Sequence, residues 1–369
     1  MEGAKEIDKL FAIVVKSEAS DLHIKTGSPP ILRISGRPRE LESKALNDQE
    51  IQKLLYEIMT PAQIQHFEAA GDCDFAYGIP GVGRFRCNVF RQRGSISLAA
   101  RRVNSKIPSF EELHLPPVMT KIAANVQGIV LMAGITGSGK STTLAAMVEY
   151  INANRHCHIL TIEDPIEYLY RDRKSFINQR EIGLDVTSFD QALKTAVRQD
   201  PDVMLVGEMR DCKTFSTALT AAETGHLVFS TLHASSSTQA IIRILDLFPE
   251  SERTLIRKGL VFNMKAIIGQ KLLPSIREGL SRIPVTEVLI NNPSVQKLIE
   301  EGRDKQIQDV VRAGKEEGMH DFNQSLHKLI TEKFISMKVG LAHSSNPDQL
   351  KMLLKGISLL EQQSGILGS

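Results

Sequence analysis

Cysteine is scarce in this chain of 369 residues. The four cysteines, Cys73, Cys87, Cys157 and Cys212, are far apart and form no CxxC pair. This spacing argues against both a zinc ribbon and a disulfide framework. We therefore expect reduced, structural thiols of the kind found in proteins of the cytoplasm.

Long hydrophobic runs are also lacking. No stretch reaches the roughly eighteen uncharged apolar residues that a membrane-spanning helix needs. The first residues, MEGAKEIDKLF, mix charges and have no apolar core of the secretory kind. We expect a cytoplasmic protein without a membrane span, which reaches a membrane only through a partner or a surface.

An excess of charge of one sign is missing as well. Lys plus Arg number 45 and Asp plus Glu number 43, which leaves a formal net charge of +2. A protein that binds nucleic acid neutralises many phosphates through a broad basic surface, so nucleic acid is not an expected partner. Hydrophobic residues at 42% and charged residues at 24% are typical of globular proteins, and the length suits two domains.

The pattern of the chain changes near residue 105. Before it, helical periodicity over 5–17 and 47–70 alternates with short apolar strands over 21–42 and 73–104, which predicts a small α+β domain. Three prolines in SKIPSFEELHLPP interrupt any periodicity, as in a linker. The predicted domains are 1–105 for this module, 106–120 for the linker, 121–292 for an α/β core and 293–369 for a helical region.

The predicted core alternates strands with helices. GIVLMAG, CHILTIED, VMLVGEM and LVFSTL are apolar runs typical of strands buried on both faces, and they are separated by segments rich in helix formers. IGQKLLPSI and RIPVTEVLI indicate a hairpin at the edge of the sheet. This order predicts a mainly parallel sheet covered by helices.

Residues 134–141, GITGSGKS, match the phosphate-binding pattern GxxxxGK[ST] at every fixed position, between a predicted strand and a predicted helix. In this pattern backbone amides surround phosphate oxygens, Lys140 reaches the β- and γ-phosphates, and the Ser141 hydroxyl binds Mg²⁺. The expected cofactors are ATP and Mg²⁺. The expected nucleotide-binding residues of this loop are Gly134, Thr136, Gly137, Ser138, Gly139, Lys140, Ser141 and Thr142.

Two further predicted strands end in acidic residues. TIEDPIEY carries Glu163, Asp164 and Glu167, of which one could activate the attacking water and another could hold the Mg²⁺ shell. The alternative is that Asp164 caps a helix that starts at Pro165. VMLVGEMRD resembles a Walker B strand in which Glu208 replaces the usual Asp, and the alternative is a strand that ends in a polar turn.

His226 and His233 flank the strand LVFSTL. Their spacing of seven along an extended strand directs the two side chains to opposite faces. This argues against a zinc site. Two interpretations stay open for each: a hydrogen-bonded structural histidine, or a hydrogen bond toward the γ-phosphate or a neighbouring subunit.

Arginines are concentrated in GRFRCNVFRQRG and LAARRV. The usual interpretation of such a run is a solvated strand face. The alternative is that arginines brought from another domain or subunit stabilise the γ-phosphate charge. The six residues, within nineteen positions, are Arg84, Arg86, Arg91, Arg93, Arg101 and Arg102.

The ordered motifs GITGSGKSTT, TIEDPIEY, VGEMRD and AAETGHLVFSTLH resemble the secretion and pilus ATPase superfamily, and most of all the type IV pilus retraction ATPases of the PilT and PilU kind. The resemblance extends to SDLHI, GSPPILRISG and GRFRCNVFRQRG near the start of the chain. Assembly motors of the superfamily usually carry a four-cysteine zinc element and an extra N-terminal domain. The four cysteines here do not form such an element, and we expect no extra N-terminal domain. Met209 and Glu223 also match the retraction class.

The resemblance implies a PAS-like N-terminal domain and a RecA-like ATPase domain in a hexameric ring. It implies that Glu167 is the catalytic carboxylate, that Glu208 is the Walker B glutamate, and that Glu163 and Asp164 belong to the same acidic box as Glu167. His226 and His233 fall on the His box, and arginines of segment 84–102 could act across the subunit interface. The implied work is pilus depolymerisation and twitching motility at the cytoplasmic face of the inner membrane. The implied partners are a PilC-like platform protein and paralogous pilus ATPases, and the coupling is relative movement of the two domains through the linker.

One segment departs from the family pattern. Retraction motors of the PilT type carry an AIRNLIRE-like segment, and here SVQKLIEE at 294–301 keeps only Leu298, Ile299 and Glu301. The positions that are usually Arg are Gln296 and Glu300. An accessory PilU-like paralogue, an assembly ATPase, a ring member with little turnover and a nucleic-acid motor are the alternatives to a main retraction motor.

Overall fold

The computed structural model describes residues 5–356 of the chain. The termini, 1–4 and 357–369, lie outside the described residues, and with them the end of the predicted C-terminal helical region. The described chain divides into two compact units. One contains the residues up to Lys106 together with Glu167–Leu169, and the other contains Ile107–Ile166 and the chain from Tyr170 onward.

The first unit is an antiparallel sheet of six strands with three helices packed on one face. The sheet order is β3-β2-β1-β6-β5-β4. Strand β5 alternates as expected for one covered face, since Phe85, Cys87 and Val89 are buried and the residues between them are not. The elements are α1 (Glu6–Lys16), β1 (Asp21–Ile24), β2 (Ile31–Ile34), β3 (Arg37–Glu40), α2 (Asp48–Tyr56), α3 (Pro61–Ala70), β4 (Asp72–Ile79), β5 (Gly83–Gln92) and β6 (Ser95–Arg102).

The helical segment predicted over 47–70 is two helices. Thr60 caps α3 by accepting a hydrogen bond from the amide of Gln63, and Pro61 occupies the first position of that helix. The proline ring has no N–H to donate to the preceding turn. The chain therefore ends α2 and begins a new helix.

The second unit is built on a sheet of seven strands in the order β13-β12-β7-β11-β10-β8-β9. All neighbouring pairs are parallel except β12 with β13, which form the predicted antiparallel hairpin at one edge. The first elements are α4 (Val118–Ala123), β7 (Gly128–Ala133), α5 (Lys140–Asn154), β8 (His158–Glu163), β9 (Phe176–Glu181), α6 (Phe189–Ala196), β10 (Val203–Val206), α7 (Cys212–Glu223) and β11 (Leu227–Leu232). The remaining elements are α8 (Ser237–Asp246), α9 (Glu250–Asn263), β12 (Met264–Pro274), β13 (Arg282–Ile290), α10 (Pro293–Glu300), α11 (Ile307–Ala313), α12 (Phe322–Thr331), α13 (Met337–His343) and α14 (Pro347–Leu354).

Every residue of β7, β8, β10 and β11 is buried, because helices cover both faces of this sheet. The four strands run in the same direction, so their carboxyl ends meet at one edge. The segment predicted as a linker, 106–120, ends inside α4, which begins at Val118. Between residues 5 and 356, no helix combines the length and the apolar composition needed to cross a bilayer.

Besides α4, strand β9 and helix α9 of the second unit were not predicted. Strand β9 is polar, FINQRE, and lies at the outer edge of the sheet, so it lacks the apolar run of the inner strands. Helix α9 carries large apolar side chains on its exposed face, with Leu255 70% exposed and Phe262 75% exposed. These side chains obscure the helical period in the sequence.

Candidate nucleotide-binding site

The loop between β7 and α5 has the shape of a phosphate-binding loop. It leaves β7 after Ala133 and enters α5 at Lys140. Gly137 and Gly139 take φ values of +78° and +88°, in the left-handed region that only glycine adopts at little cost. The first amides of α5 carry the positive end of the helix dipole, which favours an anion at this end of the helix.

Lys140 brings its charge onto this loop. Its side chain is buried, and Nζ donates hydrogen bonds to the carbonyl oxygens of Gly134 at 2.8 Å and Ile135 at 3.0 Å. Ser141 follows at the first turn of α5 and is exposed. The Ser138 hydroxyl is buried and has no hydrogen-bond partner among the described residues. The loop glycines, the Lys140 ammonium and the N-terminus of α5 together form a site that fits a nucleotide phosphate.

Sequence reasoning missed the residue that supports the loop from behind. Gln270 of β12 is 3% exposed, and its Nε2 donates to the carbonyl of Ser138 at 2.9 Å. Its Oε1 accepts a hydrogen bond from the Thr143 hydroxyl at 2.9 Å. Gln270 lies inside the predicted strand IGQKLLPSI and belongs to no motif, so only the strand pairing could have identified its role.

The next strand ends bring further polar residues to the same edge. Glu208 follows β10, and its carboxylate pairs with Arg210 and lies 3.5 Å from Nε2 of His233, which follows β11. The turn that carries Glu208 is tied to β11, because the Met209 amide donates to the carbonyl of Thr231 at 3.1 Å. The structure therefore brings together the predicted Glu208 and His233.

Asp211 holds the start of α7 directly after this turn. Its carboxylate accepts hydrogen bonds from the amide and the hydroxyl of Thr214, both at 2.9 Å. Burial raises the pKa of Asp211, but these hydrogen bonds outweigh it and hold the pKa below its ordinary value. The carboxylate is thus an ionised N-cap.

Strand β8 delivers two of the three acidic residues of TIEDPIEY to this edge. Glu163 is buried and accepts hydrogen bonds from the hydroxyl of Thr161 at 2.7 Å and from Nε2 of Gln179 at 3.2 Å. Asp164 is exposed just beyond the strand. The alternative in which Asp164 caps a helix is wrong: no helix begins there, and the Asp164–Pro165 peptide is cis.

Glu167 belongs to the first unit. Its carbonyl accepts a hydrogen bond from the amide of Asn104 at 3.3 Å, and the amide of Leu169 donates to the carbonyl of Asn104 at 2.8 Å. Segment 167–169 is thereby paired with the chain that follows β6. The catalytic role of Glu167 stays a prediction.

His226 lies at the opposite edge of the sheet from the phosphate-binding loop. It precedes β11, whereas His233 follows it, and six residues of strand separate them by about 20 Å. The Nδ1–H of His226 donates to the carbonyl of Ala221 at 2.8 Å, which caps the end of α7. Within one chain this histidine does not reach the loop, and its structural interpretation fits the contacts.

Two of the predicted interface arginines are engaged within the first unit. Arg101 pairs with the largely buried Asp21 at 2.7 Å, and Arg91 pairs with Glu68 at 2.6 Å. Arg86 lies opposite Arg101 in the β5–β6 register and is exposed. Arg84 and Arg102 are partly exposed, and Arg93 lies in the turn between β5 and β6. A role across a subunit interface stays a prediction.

A phosphate-binding loop at the carboxyl edge of a mainly parallel sheet, with acidic residues at the ends of two neighbouring strands, defines a P-loop ATPase with a RecA-like core. The predicted fold class is confirmed, including the small α+β unit before this core and the helices after it.

Comparison with known proteins supports the assignment to this class of ATPase. Residues 102–279 match the family described as "Type II/IV secretion system protein". The chain is 41% identical over 331 residues to "Type IV pilus retractation ATPase PilT" of Pseudomonas aeruginosa, covering 90% of this chain and 96% of that protein. It is 38% identical over 350 residues to "Type IV pilus ATPase PilU" of the same organism, covering 95% and 91%.

A solved structure extends the likeness to three dimensions. The crystal structure of the pilus retraction motor PilT with bound ADP matches with a TM-score of 0.86 and 42% identity, over 94% of this chain and 99% of that chain. The chain belongs to the type IV pilus retraction ATPase family, within the type II/IV secretion system proteins.

Proposed function

We propose that this protein is an ATP-hydrolysing motor that drives retraction of a type IV pilus. The observation that carries the proposal is the match along nearly the whole chain to the pilus retraction motor PilT, in both units and not in the P-loop core alone. A shared core would fit many ATPases, because a fold does not by itself define a function.

Each site residue has a distinct part in ATP turnover. The amides of residues 137–141 and the Lys140 ammonium bind and orient the phosphates. When bound, Mg²⁺ supplies charge neutralisation at the β- and γ-phosphates. The Ser141 hydroxyl and the Asp164 carboxylate offer the oxygen ligands that this ion prefers. Glu167 orients and deprotonates the attacking water. Glu163 and Glu208 place negative charge at the carboxyl ends of β8 and β10.

The motor works as a homo-hexamer in this proposal. Arginines of segment 84–102 then reach the γ-phosphate region of a neighbouring subunit, and Arg86 is exposed and available for that contact. The ring acts at the cytoplasmic face of the inner membrane on a PilC-like platform protein, together with paralogous pilus ATPases.

An accessory role beside a main motor is the second candidate. It is favoured by segment 294–301, where α10 buries Leu298 and Ile299 and keeps no arginine. In place of one arginine, Gln296 donates from Nε2 to the carbonyl of Asn291 at 3.2 Å, and Glu300 is exposed. Identities of 41% to PilT and 38% to PilU do not separate the two roles.

The deciding experiment counts surface pili and measures twitching in a strain that lacks this gene, complemented with the wild type or with Lys140→Ala. Abundant pili without twitching, restored only by the wild type, are expected for a retraction motor. Unchanged pili and motility would support the accessory role. Bald cells would overturn retraction in favour of assembly.

A biochemical test of roles accompanies it. Lys140→Ala should abolish nucleotide binding, because the ammonium no longer meets the phosphates. Glu167→Gln should keep ATP binding while turnover collapses, because an amide cannot accept a proton from water. Unchanged turnover in Glu167→Gln would remove Glu167 from its role.

A further inference from the structure

We infer that Gln270 is a positioning residue that holds the phosphate-binding loop in its nucleotide-binding shape. The inference rests on nucleotide binding at this loop and is independent of what the motor moves. Gln270 is separated from Ser138 and Thr143 by 132 and 127 positions, and strand pairing alone brings them together. Gly269, the preceding residue, lies opposite Ala133, the last residue of β7.

The side chain connects the loop to the helix that follows it. Ser138 lies in the loop itself, and Thr143 lies in the first turn of α5. One amide bonded to both fixes the distance between the loop and the helix that supplies the anion-binding amides. Because the side chain is only 3% exposed, both bonds lie away from water, where hydrogen bonds are strong and unpaired groups are costly.

Only one orientation of the amide satisfies both partners. The carbonyl of Ser138 can only accept, so the NH₂ group of Gln270 must face it. Oε1 then faces Thr143, whose hydroxyl donates. A glutamate at this position would direct a carboxylate oxygen at a carbonyl, and a methionine would leave the carbonyl of Ser138 without this donor.

The loop also packs directly against Gln270. A Cβ atom added to Gly139 would lie 2.8 Å from Nε2 of Gln270, and one added to Gly134 would lie 2.6 Å from its carbonyl oxygen. The backbone of the loop therefore has no space to move toward β12. A loop that is already held in shape loses less conformational entropy when phosphate binds, which raises affinity.

The test compares Gln270→Met with Gln349→Met in the full-length protein. Gln349 is a matched control, since it is 8% exposed, lies in α14 and accepts a hydrogen bond from Asn323 at 2.8 Å. Both changes remove a buried hydrogen-bonded amide and keep the side-chain length. Fluorescent ADP titration measures affinity at 20 °C, and hydrogen exchange without nucleotide measures protection of residues 134–143.

We expect Gln270→Met to bind ADP about tenfold more weakly, from the loss of two hydrogen bonds of roughly fivefold each, partly recovered by relaxation. Residues 134–143 should exchange faster in this variant alone. Thr143→Val, which keeps the bond to Ser138, should give an intermediate effect and serves if Gln270→Met does not fold. For both methionine variants the melting temperature should fall by similar amounts.

Wild-type affinity and exchange in folded Gln270→Met would overturn the inference. Equal loss of affinity in Gln349→Met would also overturn it, because the effect would then follow general destabilisation. A wild-type protein that fails to bind ADP would contradict the nucleotide site and not the positioning role, since the exchange measurement without nucleotide would still decide that role.

Discussion

Two glycines of the phosphate-binding loop are required for different reasons, and this difference predicts unequal effects of alanine. Gly137 has φ +78°, and an added Cβ would meet nothing within 4 Å. Gly134 has no such backbone requirement, but its Cβ would lie 2.4 Å from the Ser138 hydroxyl oxygen and 2.6 Å from the carbonyl oxygen of Gln270. A side chain at position 137 is opposed by the backbone conformation, and a side chain at position 134 is opposed by lack of space.

The magnitudes follow from these contacts. Gly137→Ala should cost about 1 kcal/mol, the lower end of the strain of a left-handed alanine. In Gly134→Ala the Cβ contact must lengthen from 2.6 to 3.4 Å, a shift of 0.8 Å, before it becomes an ordinary contact. The obstacle is backbone of β12 and cannot rotate away, so we expect about 3 kcal/mol, the upper range for overpacking.

Thermal unfolding without nucleotide is the assay. At roughly 2–4 °C per kcal/mol for a unit of this size, Gly137→Ala should lower the melting temperature by about 2–4 °C and Gly134→Ala by about 6–12 °C. Adding Ser138→Ala to Gly134→Ala removes the contact at 2.4 Å and leaves the one at 2.6 Å, so it should restore only part of the loss. A harmless Gly134→Ala, or full rescue by Ser138→Ala, would refute the reasoning.

Two further predictions concern titrating groups. Asp211→Ala should cost about 1 kcal/mol of stability in chemical denaturation, through loss of the α7 cap, whereas Asp211→Asn should cost much less because asparagine also caps. Hydrogen bonding lowers the pKa of Asp211 against the effect of burial. The wild type should therefore lose this contribution as the pH falls from about 3.9 through the lowered pKa, and Asp211→Asn should not; equal acid sensitivity would contradict this. Burial lowers the pKa of His320, whose Nε2 bonds the Thr286 hydroxyl at 2.9 Å. The unfolded chain then takes up this proton first, so stability should decrease from about pH 6.5 down to the lowered pKa. His320→Gln should flatten that slope in urea midpoints measured across this range, and an unchanged slope would exclude His320 as its source.

Much of the site could be predicted because the information is local. The spacing from Gly134 to Ser141 fixes a loop between a strand and a helix, and apolar runs identify β8 and β10, whose acidic ends must meet the same edge of a parallel sheet. The common direction of these strands follows from their alternation with helices. This is why Glu163 and Glu208 could be expected beside the loop.

The features that could not be predicted depend on which distant segments pair, or on which end of a strand a residue occupies. Gln270 supports the loop only because β12 lies beside β7, and no local pattern carries that adjacency. His226 and His233 look equivalent in the sequence, yet parallel β11 sends one to each edge of the sheet. The alternative of a helix capped by Asp164 is wrong, because the chain that follows leaves the second unit and pairs with Asn104.

The acidic segment after β8 shows the same limit of local patterns. Glu163 and Asp164 belong to the second unit and Glu167 belongs to the first, although all three stand in one short motif. The backbone of Glu167 is hydrogen-bonded to Asn104, directly after β6. Because the two partners of this pairing are far apart in the chain, the motif alone could predict the carboxylates and not the backbone that holds Glu167.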